Sequence, residues 1–147
     1  MKRVLSVVIA AVAVFALSGC GGDGGSGGGA GGMDTHYLTN VHGVGIGNVP
    51  YDCRVGGAGT TGADGAYGFE SGGDDCTFTF DQHATDEPLY IKRSEFGAGV
   101  SGLFYYCIYN TGSGNTPYRG TTDGSGHIKH VWNDAGRWVI DKCTLEY

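Results

Sequence analysis

Val49 to Phe80 reads VPYDCRVGGAGTTGADGAYGFESGGDDCTFTF. Val49, Tyr51, Cys53 and Val55 alternate with Pro50, Asp52 and Arg54. A period of two places one set on the buried face of a strand and the other toward water. Pro50 lacks an N–H and suits a strand start or an edge. Gly56 to Gly65 reads as a loop, closed by Asp64-Gly65, a strong hairpin signal. Tyr67 and Phe69 share one face of a second strand, and Gly72-Gly73-Asp74-Asp75 turns the chain again. Cys76, Phe78 and Phe80 then line the inner face of a third strand, with Thr77 and Thr79 outward.

The chain echoes this stretch. Placing Gly59-Thr60-Thr61 on Gly120-Thr121-Thr122 sets Gly65 on Gly126 without a gap, Cys53 against Cys107, and Cys76-Thr77-Phe78 against Cys143-Thr144-Leu145. Two half-units follow, about 48-81 and 101-147, each with a GTT turn. The second carries insertions, chiefly NTGSGNTP before Tyr118, read as an exposed loop, and the residues around Asn133. Leu103 to Tyr109, LFYYCIY, is apolar on both faces. It is either a central strand covered on both sides or a strand with an exposed aromatic face. Tyr37 to Val41, Leu89 to Ile91, Ile128 to Trp132 and Trp138 to Tyr147 complete a count of about eight short strands. No stretch carries a helical period. The expectation is an all-β chain, a single antiparallel β-sandwich over 34-147.

Tyr51, Cys53, Thr61, Asp64, Gly65, Tyr67, Phe69, Gly72, Cys76, Thr77 and Phe78 together resemble a Cys-containing immunoglobulin-like or prealbumin-like β-module of bacterial surface lipoproteins and adhesins. The second half departs from that pattern at His127-Ile128-Lys129-His130. The resemblance implies a display or adhesion scaffold rather than an activity.

The N-terminus points the same way. Met1-Lys2-Arg3 is a positive n-region and Val4 to Leu17 an apolar h-region, too short to span a bilayer as a helix. Leu17-Ser18-Gly19-Cys20 resembles the lipobox of bacterial prolipoproteins. That resemblance implies a signal peptide over 1-19, cleavage before Cys20, and diacylglycerol and a further acyl chain (palmitate in type) on Cys20. Two or three acyl chains, at about 0.8 kcal/mol per buried CH₂, hold a protein stably on a membrane. Gly21 follows Cys20 where an aspartate would imply inner-membrane retention, so a Gram-negative relative would sit at the outer membrane. Residues 20-33 form a glycine-rich tether with no apolar side chains to order it.

Composition narrows the partners. The chain has 147 residues, 30 of them glycine, and a formal net charge of −6. Loss of Lys2 and Arg3 with the leader lowers nine basic residues to seven against fifteen acidic ones, a net of −8. Phosphate recognition needs clustered Lys and Arg, so nucleic acid is not an expected partner. With Cys20 lipidated, Cys53, Cys76, Cys107 and Cys143 are an even set in an exported chain, which reads as two disulfides. Three pairings exist, and closure within each half-unit favours Cys53–Cys76 and Cys107–Cys143. Structural zinc draws on closely spaced cysteine pairs, which are absent, so no metal or cofactor is expected.

No nucleophile motif occurs; Ser101 lacks the G-x-S-x-G spacing. His127 and His130 would point to opposite faces of a strand. Asp64, Asp74, Asp75, Asp81, Asp86, Asp123 and Asp134 sit in turns, where aspartate bonds its own backbone. The remaining candidate is an exposed aromatic patch, Tyr106, Tyr109, Tyr118 and Trp132, able to stack on sugars or a protein partner. The function expected is a non-enzymatic binding, adhesion or structural module of the cell envelope, partnering an envelope protein or glycan. The alternatives are a carbohydrate-binding domain using exposed Tyr or Trp, or a small secreted hydrolase or inhibitor.

Overall fold

The computed structural model describes residues 31–80, 88–110, 113–129 and 140–147. Among them the chain forms ten strands and no helix: β1 Met33–Thr39, β2 Pro50–Cys53, β3 Gly57–Thr60, β4 Ala66–Glu70, β5 Asp75–Thr79, β6 Leu89–Lys92, β7 Phe104–Asn110, β8 Asn115–Thr121, β9 His127–Ile128 and β10 Ile140–Glu146. They make two antiparallel sheets, one of order β4-β1-β6-β9 and one of order β3-β2-β5-β10-β7-β8. The sheets enclose one core, to which the four-stranded sheet contributes Leu38, Tyr67, Phe69, Leu89, Ile91 and Ile128. The six-stranded sheet contributes Phe78, Tyr105, Tyr109, Ile140, Leu145, Cys53, Cys76, Cys107 and Cys143. This is the expected β-sandwich. Full burial of each large apolar side chain contributes about 1.5–3 kcal/mol.

Alternation accounts for most of the placement. Tyr67 and Phe69 on β4, and Cys76 and Phe78 on β5, are buried while their neighbours are not. Val55 departs from the expected face and is 54% exposed. The strand ends at Cys53 and the chain reverses, with the Val55 and Gly56 N–H groups donated to the Asp74 carboxylate at 2.8 Å each. Two segments read as loop or turn are strands instead: β3 and β8, which contain Gly59-Thr60 and Gly120-Thr121. Both are edge strands, and β3 is exposed at every position, so neither carries an alternating apolar signal. NTGSGNTP likewise enters β8 at Asn115, and β1 starts at Met33, one residue inside the expected tether.

The two halves pair alike. Tyr51 opposes Gly59, and Tyr105 opposes Gly120. Asp52 opposes Thr77, and Tyr106 opposes Thr144. Tyr37 opposes Ala66, and Tyr90 opposes His127. The halves meet through their own counterparts, Leu38 on Ile91 in one sheet and Thr77 on Thr144 in the other. The Phe80 N–H reaches the Asp141 carbonyl at 2.8 Å, and the Tyr147 N–H reaches the Asp74 carbonyl at 2.8 Å. The likeness therefore begins before Val49, at β1 and β6, so each half contributes five strands.

The GTT segments matter because of their last residue. The Thr61 hydroxyl donates to the Ile46 carbonyl at 2.6 Å and accepts the Val49 N–H at 3.0 Å. The Thr122 hydroxyl donates to the Val100 carbonyl at 2.5 Å and accepts the Leu103 N–H at 3.0 Å. Each buried threonine thus satisfies two backbone groups that would otherwise be buried unpaired, at about 1–3 kcal/mol each.

Disulfides join Cys53 to Cys76 and Cys107 to Cys143, the pairing within halves. Each links residues directly opposite on neighbouring strands of the six-stranded sheet. Closing loops of 23 and 36 residues, each bridge stabilises the fold by about 3–4 kcal/mol through the unfolded chain.

Candidate functional site

Since the halves share a scaffold, the informative positions are those where they differ. They differ on the outward face of the six-stranded sheet. In the second half, register sets Glu146, Phe104 and Thr121 in one row across β10, β7 and β8, and Thr144, Tyr106 and Arg119 in the next. These residues line an open groove of about 660 Å³, within the range of small-molecule clefts. Phe104 is 61% exposed. The Arg119 guanidinium lies 5.0 Å from the centre of the Tyr106 ring, a cation–π contact that orients both side chains. The matching positions of the first half are Pro50, Asp52, Ala58 and Thr60, opposite one another in the same register. They carry no aromatic ring and no cation.

The groove follows from local sequence. LFYYCIY alternates two apolar sets: Tyr105, Cys107 and Tyr109 go inward and are buried, which leaves Phe104, Tyr106 and Ile108 outward. Of the two expectations for this run, the strand with an exposed aromatic face is the one realised.

Of the patch expected from sequence, Tyr106, Tyr109 and Tyr118 do not share one exposed face. Tyr106 stands on the outward face, whereas Tyr109 is 1% exposed in the core and donates its hydroxyl to the Lys129 carbonyl at 2.6 Å. Tyr118 is half-buried on the inner side of β8, its ring 6.3 Å from those of Tyr105 and Tyr109. Residue parity on adjacent strands separates them: odd positions of β7 and even positions of β8 turn inward. Trp132 lies outside the described residues. Phe104, Arg119, Thr121, Thr144 and Glu146 complete the groove and lie outside the patch expected from sequence. The only sequence signal was the two-sided apolarity of β7, because the cross-strand register that joins them to it is not written locally.

A smaller cleft of about 280 Å³ opens on the inner side of β8, lined by Tyr105, Tyr118, Asp123, His127 and Lys129 among others. The Lys129 ammonium lies 5.4 Å from the centre of the Tyr118 ring, and the Tyr105 hydroxyl accepts the Lys129 N–H at 3.1 Å. Burial pushes the Tyr105 phenol above its ordinary pKa. Asp123 is committed to its own turn: it accepts the Ser125 hydroxyl and the N–H groups of Ser125 and His127. The Ser125 hydroxyl first, then those N–H groups, hold its carboxyl below the usual range.

The turn aspartates behave similarly in the first half. Asp74 is fully buried and accepts the N–H groups of Val55, Gly56, Glu70 and Asp75. Burial alone would raise its pKa, but these four donors outweigh it and hold the carboxyl below the usual value. Asp64 accepts the Ala66 N–H at 3.0 Å, and Asp75 pairs with Arg54 at 3.0 Å. Cys53, Asp74 and Cys76 cluster closely enough to suggest a metal site. Their sulfurs are joined in a disulfide and the carboxylate is saturated by backbone donors, so the cluster serves the turn. Asp81, Asp86, Asp134 and His130 lie outside the described residues.

No family model, curated protein or solved structure matches this chain.

The outer groove therefore stands on its own chemistry. It offers one exposed ring, one ring backed by a guanidinium, a carboxylate, two threonine hydroxyls and the Tyr106 phenol. That set can contact a small amphipathic surface through both ring faces and hydrogen-bonding groups.

Proposed function

We propose that this protein is a lipid-anchored, non-enzymatic binding module of the bacterial cell envelope, held through Cys20 and displayed on its glycine-rich tether. Outer-membrane placement accords with Gly21 after Cys20. The observation that carries the binding reading is the asymmetry between two like-built halves. Where the first half presents Pro50, Asp52 and Ala58, the second presents Phe104, Tyr106 and Arg119. Keeping an aromatic ring more than half exposed offers nothing to the core, and grooves of this composition are common at recognition surfaces. An immunoglobulin-like or prealbumin-like display role agrees with the sequence resemblance.

Two experiments test the reading. Metabolic palmitate labelling of the full chain should be lost in Cys20→Ala; unchanged labelling removes the anchor. Mature protein immobilised through its N-terminus should retain envelope material that Phe104→Ala and Tyr106→Ala fail to retain. Equal retention by wild type and both variants removes the groove as the binding face.

A further inference from the structure

We infer that the outer-face groove binds a neutral glycan, with Phe104 as the stacking platform and Arg119 and Glu146 as the groups that read its hydroxyls. The inference rests on the binding-module reading above and names the ligand class of that site.

Three features lead to it. The first is geometry. Phe104 and Tyr106 are two residues apart on one face of β7, so their backbone positions are about 7 Å apart along the strand. Arg119 already lies against the Tyr106 ring, and Phe104 presents its ring to solvent. A sugar ring has an apolar C–H face that packs on such a surface and hydroxyls around its edge.

The second is the polar complement. Arg119 supplies only donors and Glu146 only acceptors, while the Thr121 hydroxyl supplies both and the Thr144 hydroxyl, already bonded to that of Thr77 at 2.9 Å, keeps part of its capacity. The rows of the sheet place these groups around Phe104 on neighbouring strands, which lie about 4.8 Å apart. A vicinal diol, donor and acceptor at each oxygen, is the simplest partner for mixed groups at that spacing.

The third is charge. Arg119 and Glu146 cancel, and Asp75, which opposes Glu146 on β5, is neutralised by Arg54 at 3.0 Å. The chain as a whole is acidic, with a formal net charge of −6. An anionic chain would be repelled at long range by the acidic protein, and inside the groove the Arg119 guanidinium opposes a cation.

The test uses mature protein and three neutral oligosaccharides, malto-, cello- and chitohexaose, titrated at millimolar concentration. Side-chain NMR shifts of the aromatic rings are the readout. At least one sugar should shift the Phe104 and Tyr106 ring signals with saturable, millimolar-range affinity. Phe104→Ala should weaken binding at least tenfold, and Arg119→Ala severalfold. Asp52→Ala, at the matching position of the first half, should change nothing. Phe104 is exposed, so its variant should fold, and an unchanged melting temperature verifies this. The inference fails if none of the three sugars shifts the rings, or if Phe104→Ala binds as wild type. Absence of sugar binding with Phe104-dependent retention of an envelope protein would overturn the glycan while leaving the binding module standing. Absence of both would overturn the two together.

Discussion

Thr77 and Thr144 face each other at the centre of the six-stranded sheet, their hydroxyls 2.9 Å apart, and each is the other's counterpart in the two halves. The pair stands on the outward face, and its Thr144 also lines the groove. Thr77→Val leaves one hydroxyl against a methyl group and should cost about 0.5–1 kcal/mol. Thr77→Val with Thr144→Val removes both polar groups from a β-favouring site and should fall near wild type. Urea denaturation of the single and double variants measures this; simple additivity would deny the coupling.

The buried Thr61 and Thr122 hydroxyls each bridge a carbonyl and an N–H. Valine fits the volume but orphans both groups. Thr61→Val and Thr122→Val should each lower stability by about 2 kcal/mol or more. Because the sites lie in different halves and share no partner, the double variant should show the sum. A variant as stable as wild type would mean that the bridge is dispensable.

Asp74 makes stability depend on acidity. Its folded carboxyl lies below the ordinary 3.8, so as pH falls the unfolded chain takes up the proton first. The contribution is complete above about pH 5 and is lost as pH drops below about 4. Asp74→Asn should be less stable than wild type at neutral pH, by about 2 kcal/mol, since an amide nitrogen then faces backbone donors. The gap should narrow at pH 3. A constant gap between pH 7 and pH 3 would remove the carboxylate as its source.

Gly65 and Gly126 occupy the same turn in the two halves, at φ +83° and +79°, and a Cβ at either would lie 2.0 Å from a carbonyl oxygen, that of Leu38 or Ile91. Those carbonyls are accepting neighbouring backbone N–H groups and cannot swing away. Gly65→Ala and Gly126→Ala should each cost more than the ~1 kcal/mol of an ordinary backbone penalty. Gly124→Ala, where a Cβ meets open space, should be close to neutral. Thermal melts of the three variants rank them, and equal melting temperatures would contradict the geometry.

The chain alone determined the sandwich, both disulfides and most of the core. These rest on local signals: alternation at Tyr67, Phe69, Cys76 and Phe78, glycine and aspartate at turns, and an even set of exported cysteines. The leader and lipobox are legible in the same local way, as an expectation about placement. Only the tertiary structure decided that the GTT segments end in buried threonine braces, that β3 and β8 are strands, and that Tyr109 and Tyr118 turn away from Tyr106. β3 is exposed throughout and β8 half-buries only Tyr118 and Gly120, so neither leaves an alternating apolar pattern in the sequence. A face spanning β10, β7 and β8 exists only through register, which hydrogen bonds between distant segments set. Thus Phe104 could be seen as one more apolar residue in LFYYCIY, while its position between Glu146 and Thr121 could not.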